Sequence, residues 1–142
     1  MAISKASAQW EGSLREGKGA MRPEHAPEAP FSVASRFEGG RGSNPEELLG
    51  AALAGCFSMA LTAALNKEKL SPRSVRTAAL VHLDKEGEAF KISTIELTTA
   101  VDIDGLADEK FQAIAQETKK QCPVSKALSG VTITLKATAA PA

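Results

Sequence analysis

The sequence predicts an α+β fold, and three observations carry that prediction. Period-two alternation of apolar and polar residues recurs along the chain. A long charge-free helical stretch interrupts it, and the strands come as consecutive hairpins rather than alternating singly with helices. The predicted order is βββαββααβ. It forms a single domain over residues 1–142, with an antiparallel-rich sheet and a long buried central helix.

The elements follow in order. "KASAQWEG" and "GKGAMRP" are predicted strands joined by a turn around Arg15 to Lys18. The segment "PEHAPEAP" has three prolines and is predicted to be an irregular loop. "FSVASRFEG" is expected to resume as a strand before the Gly-rich turn "GGRGSN". "NPEEL" then carries the signals of a helix start: Asn44 as N-cap, Pro45 at the first helical position and Glu47 at the third. This helix should run to about Lys67 and stop before Ser71 and Pro72. In the next strand Val75, Thr77, Ala79, Val81 and Leu83 share one face. Its partner spans about 90–103. The apolar set there shifts from Phe90 and Ile92 to Ile95, Leu97 and Val101, which predicts a bulge near Ser93. A second helix should start near Ala107, with Phe111, Ile114, Ala115 and Thr118 at helical spacing. Pro123 starts a short helix over 123–128 with Cys122 at its N-cap, and a last strand turns Val131, Ile133, Leu135 and Ala137 inward.

Composition excludes several function classes. Lys plus Arg and Asp plus Glu are 17 each, so the formal net charge is zero. A nucleic-acid partner is not expected, since it requires a basic face to displace counterions. The N-terminus has no apolar run of signal-peptide length, so a cytoplasmic location is expected. Two cysteines at positions 56 and 122 make neither a disulfide scaffold nor a metal-ligand spacing, and no metal site is expected. The apolar stretch from Leu48 to Leu65 barely reaches the length of a membrane span. It lacks an aromatic belt and basic flanks, and no membrane is expected.

That stretch does bear on assembly. Only Ser58 and Thr62 are polar in it, and a helix apolar all round must be buried all round. One sheet can cover a single side, so a homodimer is predicted, with Ala51, Ala52, Ala54 and Gly55 allowing close backbone approach. Within the same stretch sits Cys56. Free cysteine is among the most buried residue types, so an inert core thiol is the plainer reading. Cys122 is less plain, because a predicted helix N-cap favours thiolate. Cys56 lies 12 residues past its own cap, about 18 Å along the axis, so any activating charge must come from elsewhere.

The string "RFEGGRGSNPEELLGAALAGCFSMAL", followed by "CPVSKAL" and preceded by "AQWEGSLREGKG", resembles the OsmC branch of the OsmC/Ohr family over nearly the whole chain. The resemblance implies an intertwined α+β homodimer acting as a thiol-dependent peroxidase. It implies Cys56 as the peroxide-attacking thiol, Cys122 as the resolving one, and Arg36 and Glu46 as the family's arginine and glutamate. Arg15 in "GSLREG" is a poor match to the arginine of the Ohr branch.

The chemistry accounts for these residue types. Only a thiolate attacks peroxide, and burial by itself opposes ionisation. A guanidinium cannot lose its proton and can hold both thiolate and peroxide oxygen, while Glu46 would orient it. The expected substrates are organic hydroperoxides or hydrogen peroxide. The product on the enzyme is a Cys56–Cys122 disulfide, and an external dithiol, with no bound cofactor, restores it. Leu49, Leu53, Phe57 and Met59 are candidates for the pocket wall. On a continuous helix Glu46 lies about 15 Å before Cys56, so it acts through Arg36, across a dimer, or past a break at Gly50 or Gly55. His25, His82, Arg73 and Arg76 read as solvated, Trp10 as a core or interface residue, and Arg41 as a second candidate arginine. The competing function is a dimeric binding protein for small apolar ligands whose thiols are structural.

Overall fold

The computed structural model describes residues 1–142. Its contacts divide the chain into two compact units, Met1–Leu48 and Leu49–Ala142, with the boundary falling inside a helix.

The first unit holds β1 (Ala6–Glu11), β2 (Lys18–Pro23) and β3 (Ala29–Phe31), an antiparallel sheet in that order. Gly19 pairs with both Trp10 and Phe31, whose rings meet at 5.4 Å. A Cβ on Gly19 would stand 2.6 Å from the Phe31 ring and 2.7 Å from the Trp10 ring, so only glycine lets them close over the strand. The strand expected through "FSVASRFEG" ends at Phe31, and α1 (Val33–Phe37) takes its place. The reason is local. Ser32 and Ser35 form a reciprocal capping box, with Ser35 N–H donating to Ser32 Oγ at 3.1 Å and Ser32 N–H to Ser35 Oγ at 2.8 Å. Ser35 Oγ also donates to the Ser43 carbonyl at 2.7 Å, which ties α1 to the following loop. The observed order is therefore βββααββααβ, one helix more than predicted.

Helix α2 (Pro45–Lys67) starts where the cap predicts, with Glu47 N–H donating to Asn44 Oδ1 at 2.7 Å. It is unbroken at Gly50 and Gly55. In the second unit Leu53, Phe57, Leu61 and Leu65 recur every four residues and are fully buried. They form one core with Ile95, Leu97, Val101, Ile103, Phe111 and Ala115. The helix backbone comes close to β4 at Gly50, where a Cβ would meet the Val81 side chain at 2.9 Å. Beside this apolar stripe runs a polar seam. Ser58 Oγ donates to Thr77 Oγ1 at 2.7 Å, and Thr77 and Thr99 share a hydrogen bond at 2.9 Å.

The second sheet has the order β4 (Ser74–Glu86), β5 (Ala89–Asp102), β6 (Thr132–Ala140). The bulge lies where the apolar pattern shifts: His82 pairs with Thr94 and Leu83 with Ile92, leaving Ser93 unpaired. β4 and β5 are antiparallel, but β6 runs parallel to β5. Three of the four strand pairings are antiparallel, in line with the antiparallel-rich expectation, and β5–β6 is the exception. The cause is the connection, since α3 (Asp108–Gln121) and α4 (Pro123–Ala127) carry the chain back along the sheet before β6 begins. The one expected sheet is instead two sheets of three strands.

Helix α2 is long and apolar enough by length and composition to cross a membrane, with a mean hydropathy of 1.9. Its leucine and phenylalanine stripe is nevertheless spent on the core. The expectation of burial all round is not met within one chain: Ala51, Ala52, Gly55, Met59 and Ala63 are exposed, Met59 at 78%.

Candidate active site

Two pairs of side chains stand out, one in each unit. In the first unit, α1 projects Arg36 and the first turn of α2 projects Glu46. Arg36 Nε donates to both Glu46 carboxylate oxygens at 3.1 Å, and Arg36 Nη2 donates to Oε1 as well. Glu46 is buried, whereas the Arg36 side chain is about one-third exposed and lies 5.4 Å from the centre of the Phe37 ring. The capping box and the Asn44 cap together produce this pair, because they fix the two helix starts that carry it. The carboxylate grips one edge of the guanidinium, and the planar group keeps its remaining donors for another acceptor.

In the second unit, α2 and the α3–α4 junction bring the two cysteines into contact. Both are reduced, and the Cys122 and Cys56 Sγ atoms share a hydrogen bond at 2.7 Å. Cys56 is half-buried and Cys122 is fully buried, so Cys56 is the sulfur that a reagent can reach. Two residues so far apart in sequence meet because Thr118 accepts from Cys122 N–H at 3.0 Å, ending α3, and Pro123 redirects the chain.

The environments of the two sulfurs differ. Burial raises the Cys56 pKa, and the hydrogen bond to Cys122 and its charge raise it further against a lowering by the Val124 N–H. For Cys122, burial also opposes ionisation. It is outweighed by the hydrogen bond with Cys56, by the N–H and hydroxyl of Ser125, and by the Val124 N–H, which together lower its pKa. The influences on Cys56 are burial, Cys122 and Val124, and none of them is a cation.

The expected pocket wall is not assembled as predicted. Leu53 and Phe57 are fully buried core residues and offer a ligand no surface. Leu49 is half-buried and Met59 is exposed. A helical period places apolar residues on a face but does not say which face the core takes. Two residues that the sequence reading missed are Val124 and Ser125, whose backbone and side chain surround the sulfurs. The signal for Ser125 was its position, three residues after the N-cap of α4, the same spacing as Ser32 and Ser35.

A family model described as OsmC-like protein matches residues 38–136. The chain belongs to the OsmC family. Among its OsmC-family relatives, the peroxiredoxin OsmC of Escherichia coli is 43% identical over 87% of this chain and 88% of its own length. The organic hydroperoxide resistance protein of Xanthomonas axonopodis pv. citri is 33% identical over 85% and 87%. An OsmC-like protein of unknown function from Vibrio cholerae has the same fold at 13% identity, with a TM-score of 0.76 over 96% of this chain and 99% of that one. The organic hydroperoxide resistance protein OhrB of Bacillus subtilis superposes with a TM-score of 0.69 at 26% identity, over 94% of this chain and 97% of that one. The OsmC fold is thus a mixed α+β architecture, and in this chain it consists of two three-stranded sheets and four helices.

Proposed function

We propose that this OsmC-family protein is a cysteine-based peroxidase that reduces organic hydroperoxides and hydrogen peroxide in oxidative-stress defence. The observation that carries the reading is the direct contact of two reduced thiols at 2.7 Å, one reachable and one buried. The names of its relatives, a peroxiredoxin and organic hydroperoxide resistance proteins, support the same chemistry.

The Cys56 thiolate attacks a peroxide oxygen and the O–O bond breaks. Cys56 becomes a sulfenic acid, and the leaving oxygen takes a proton to depart as alcohol or water. The Cys122 thiolate then attacks the Cys56 sulfur, expels hydroxide as water and forms the disulfide. An external dithiol reverses this by exchange and is itself oxidised. The first step needs charge on Cys56, which burial opposes. The reading therefore includes a cation that tips the balance: Arg36, held by Glu46, which matches the family's arginine. It also includes a homodimer closing over the exposed apolar face of α2, with Leu49 and Met59 as the remaining candidates for the substrate wall.

The test is one equivalent of an organic hydroperoxide added to the reduced protein, followed by alkylation and intact-mass analysis. An intrachain disulfide should block both thiols, and Cys56→Ser should abolish turnover. Two freely alkylated thiols after peroxide would overturn the mechanism. They would leave the small-ligand binding protein as the better reading.

A further inference from the structure

Ser125 Oγ is the one buried side-chain oxygen or nitrogen in the chain without a hydrogen-bond partner, and Ser125 is only 8% exposed. An unsatisfied hydroxyl in a folded interior costs stability and calls for an explanation. The same spacing elsewhere in this chain shows what the hydroxyl could have done. Ser35, three residues after the cap of α1, accepts from the Ser32 N–H and donates to the Ser43 carbonyl. At α4 the equivalent acceptor role is closed, because the Cys122 N–H is already committed to the Thr118 carbonyl. What remains beside Ser125 is the Cys122 sulfur, and the hydroxyl is near enough to favour its ionisation.

We infer that Ser125 is a catalytic residue of the regeneration step. Its hydroxyl donates a hydrogen bond to the Cys122 thiolate as that sulfur leaves the disulfide, and so steers the incoming dithiol to Cys56. This rests on the peroxidase reading for its biological setting, although the step itself requires only the disulfide. A thiolate of the reductant attacks Cys56 Sγ and forms a mixed disulfide there. The Cys56–Cys122 bond breaks with its electron pair on Cys122 Sγ, which the Ser125 hydroxyl receives. The second thiol of the reductant then attacks its own sulfur in the mixed disulfide. It releases Cys56 as a thiolate, and the reductant leaves as a cyclic disulfide. A better-stabilised leaving sulfur departs faster, so the orphan hydroxyl selects both rate and site. Access works in the same direction, since Cys122 is fully buried and Cys56 is not.

The test is Ser125→Ala, studied without peroxide. The disulfide is formed with diamide and reduced with dithiothreitol, and the reduction rate is read. The variant should react several-fold more slowly. Glutathione, which stops at the mixed disulfide, should be found on Cys56 in the wild type and on both cysteines in the variant. In a Cys56→Ser background, Ser125→Ala should raise the Cys122 thiol pKa by about one unit, a tenfold change in its ionisation constant. An unchanged reduction rate with an unchanged Cys122 pKa would overturn the inference. If diamide closes the disulfide and hydroperoxide does not, the peroxidase reading fails while the Ser125 measurements still decide this one.

Discussion

Two sulfurs within reach of a single proton do not titrate as independent thiols. Cys56 is held above the ordinary thiol range by burial first and then by its neighbour's hydrogen bond and charge. Cys122→Ser removes that neighbouring charge and replaces a competing thiol with a hydroxyl that can donate. The Cys56 pKa should therefore fall, and its iodoacetamide alkylation should become faster at neutral pH with a midpoint at lower pH. A midpoint that stays put would mean that the two thiols are not coupled. The same variant should complete one turnover with hydroperoxide and then accumulate sulfenic or sulfinic acid at Cys56, detected by mass, because nothing resolves it. Arg36→Met works in the opposite direction. Without the proposed cation the Cys56 pKa should rise, and turnover near neutral pH should fall by more than the lost thiolate fraction. Raising the pH should recover only part of the rate, and Arg36→Lys should rescue poorly, since an ammonium lacks the planar fork. An alkylation profile unchanged in Arg36→Met would remove Arg36 from the site.

Element starts and close approaches decide where these groups point. The Arg36–Glu46 pair joins α1 to the first turn of α2 and leaves a carboxylate inside the structure. Arg36→Met should cost up to about 3 kcal/mol in urea denaturation, less than for a fully buried pair because Arg36 is partly exposed. Glu46→Gln should cost less, since an amide oxygen can still accept one of the guanidinium bonds. On the next turn, Gly50 lets α2 approach β4. Gly50→Val would drive methyl groups into Val81 and should destabilise the second unit by about 1–3 kcal/mol, read from the same denaturation curves. At the far end of the sheet, Arg73 binds Asp102 and Asp104, and Asp102 also accepts from the Ala142 N–H. Arg73 lowers both carboxyl pKa values, so this tie persists above the ordinary carboxylate range and loosens as the pH falls through the lowered values.

For the whole molecule, α2 leaves an apolar side exposed, and a second copy of the chain is the proposed cover. Gly55 has open space around it and Met59 is 78% exposed, so neither is needed to hold the single chain together. If the dimer closes over this face, Met59→Glu and Gly55→Leu should each give a folded monomer by sedimentation, with an unaltered far-ultraviolet circular dichroism spectrum. A wild-type protein that sediments as a monomer would refute the dimer.

The sequence by itself determined whatever depends on short-range chemistry. The Asn44 cap and Pro45 set the start of α2, the shift of apolar parity located the bulge at Ser93, and Pro123 set the α4 start. The family resemblance brought Arg36 together with Glu46 and Cys56 together with Cys122, and the structure shows each pair in contact. Only the tertiary structure decided the rest. The capping box that turned an expected strand into α1 uses two serines that fit either conformation in isolation. The parallel placement of β6 depends on where α3 and α4 pack, which strand periodicity does not encode. Leu53 and Phe57 became core while Met59 stayed exposed, because a helix apolar on every side carries no mark of which side meets the sheet. The unpartnered Ser125 could be seen only once every neighbouring donor and acceptor had been placed, since a hydroxyl is orphaned by what its surroundings have already used.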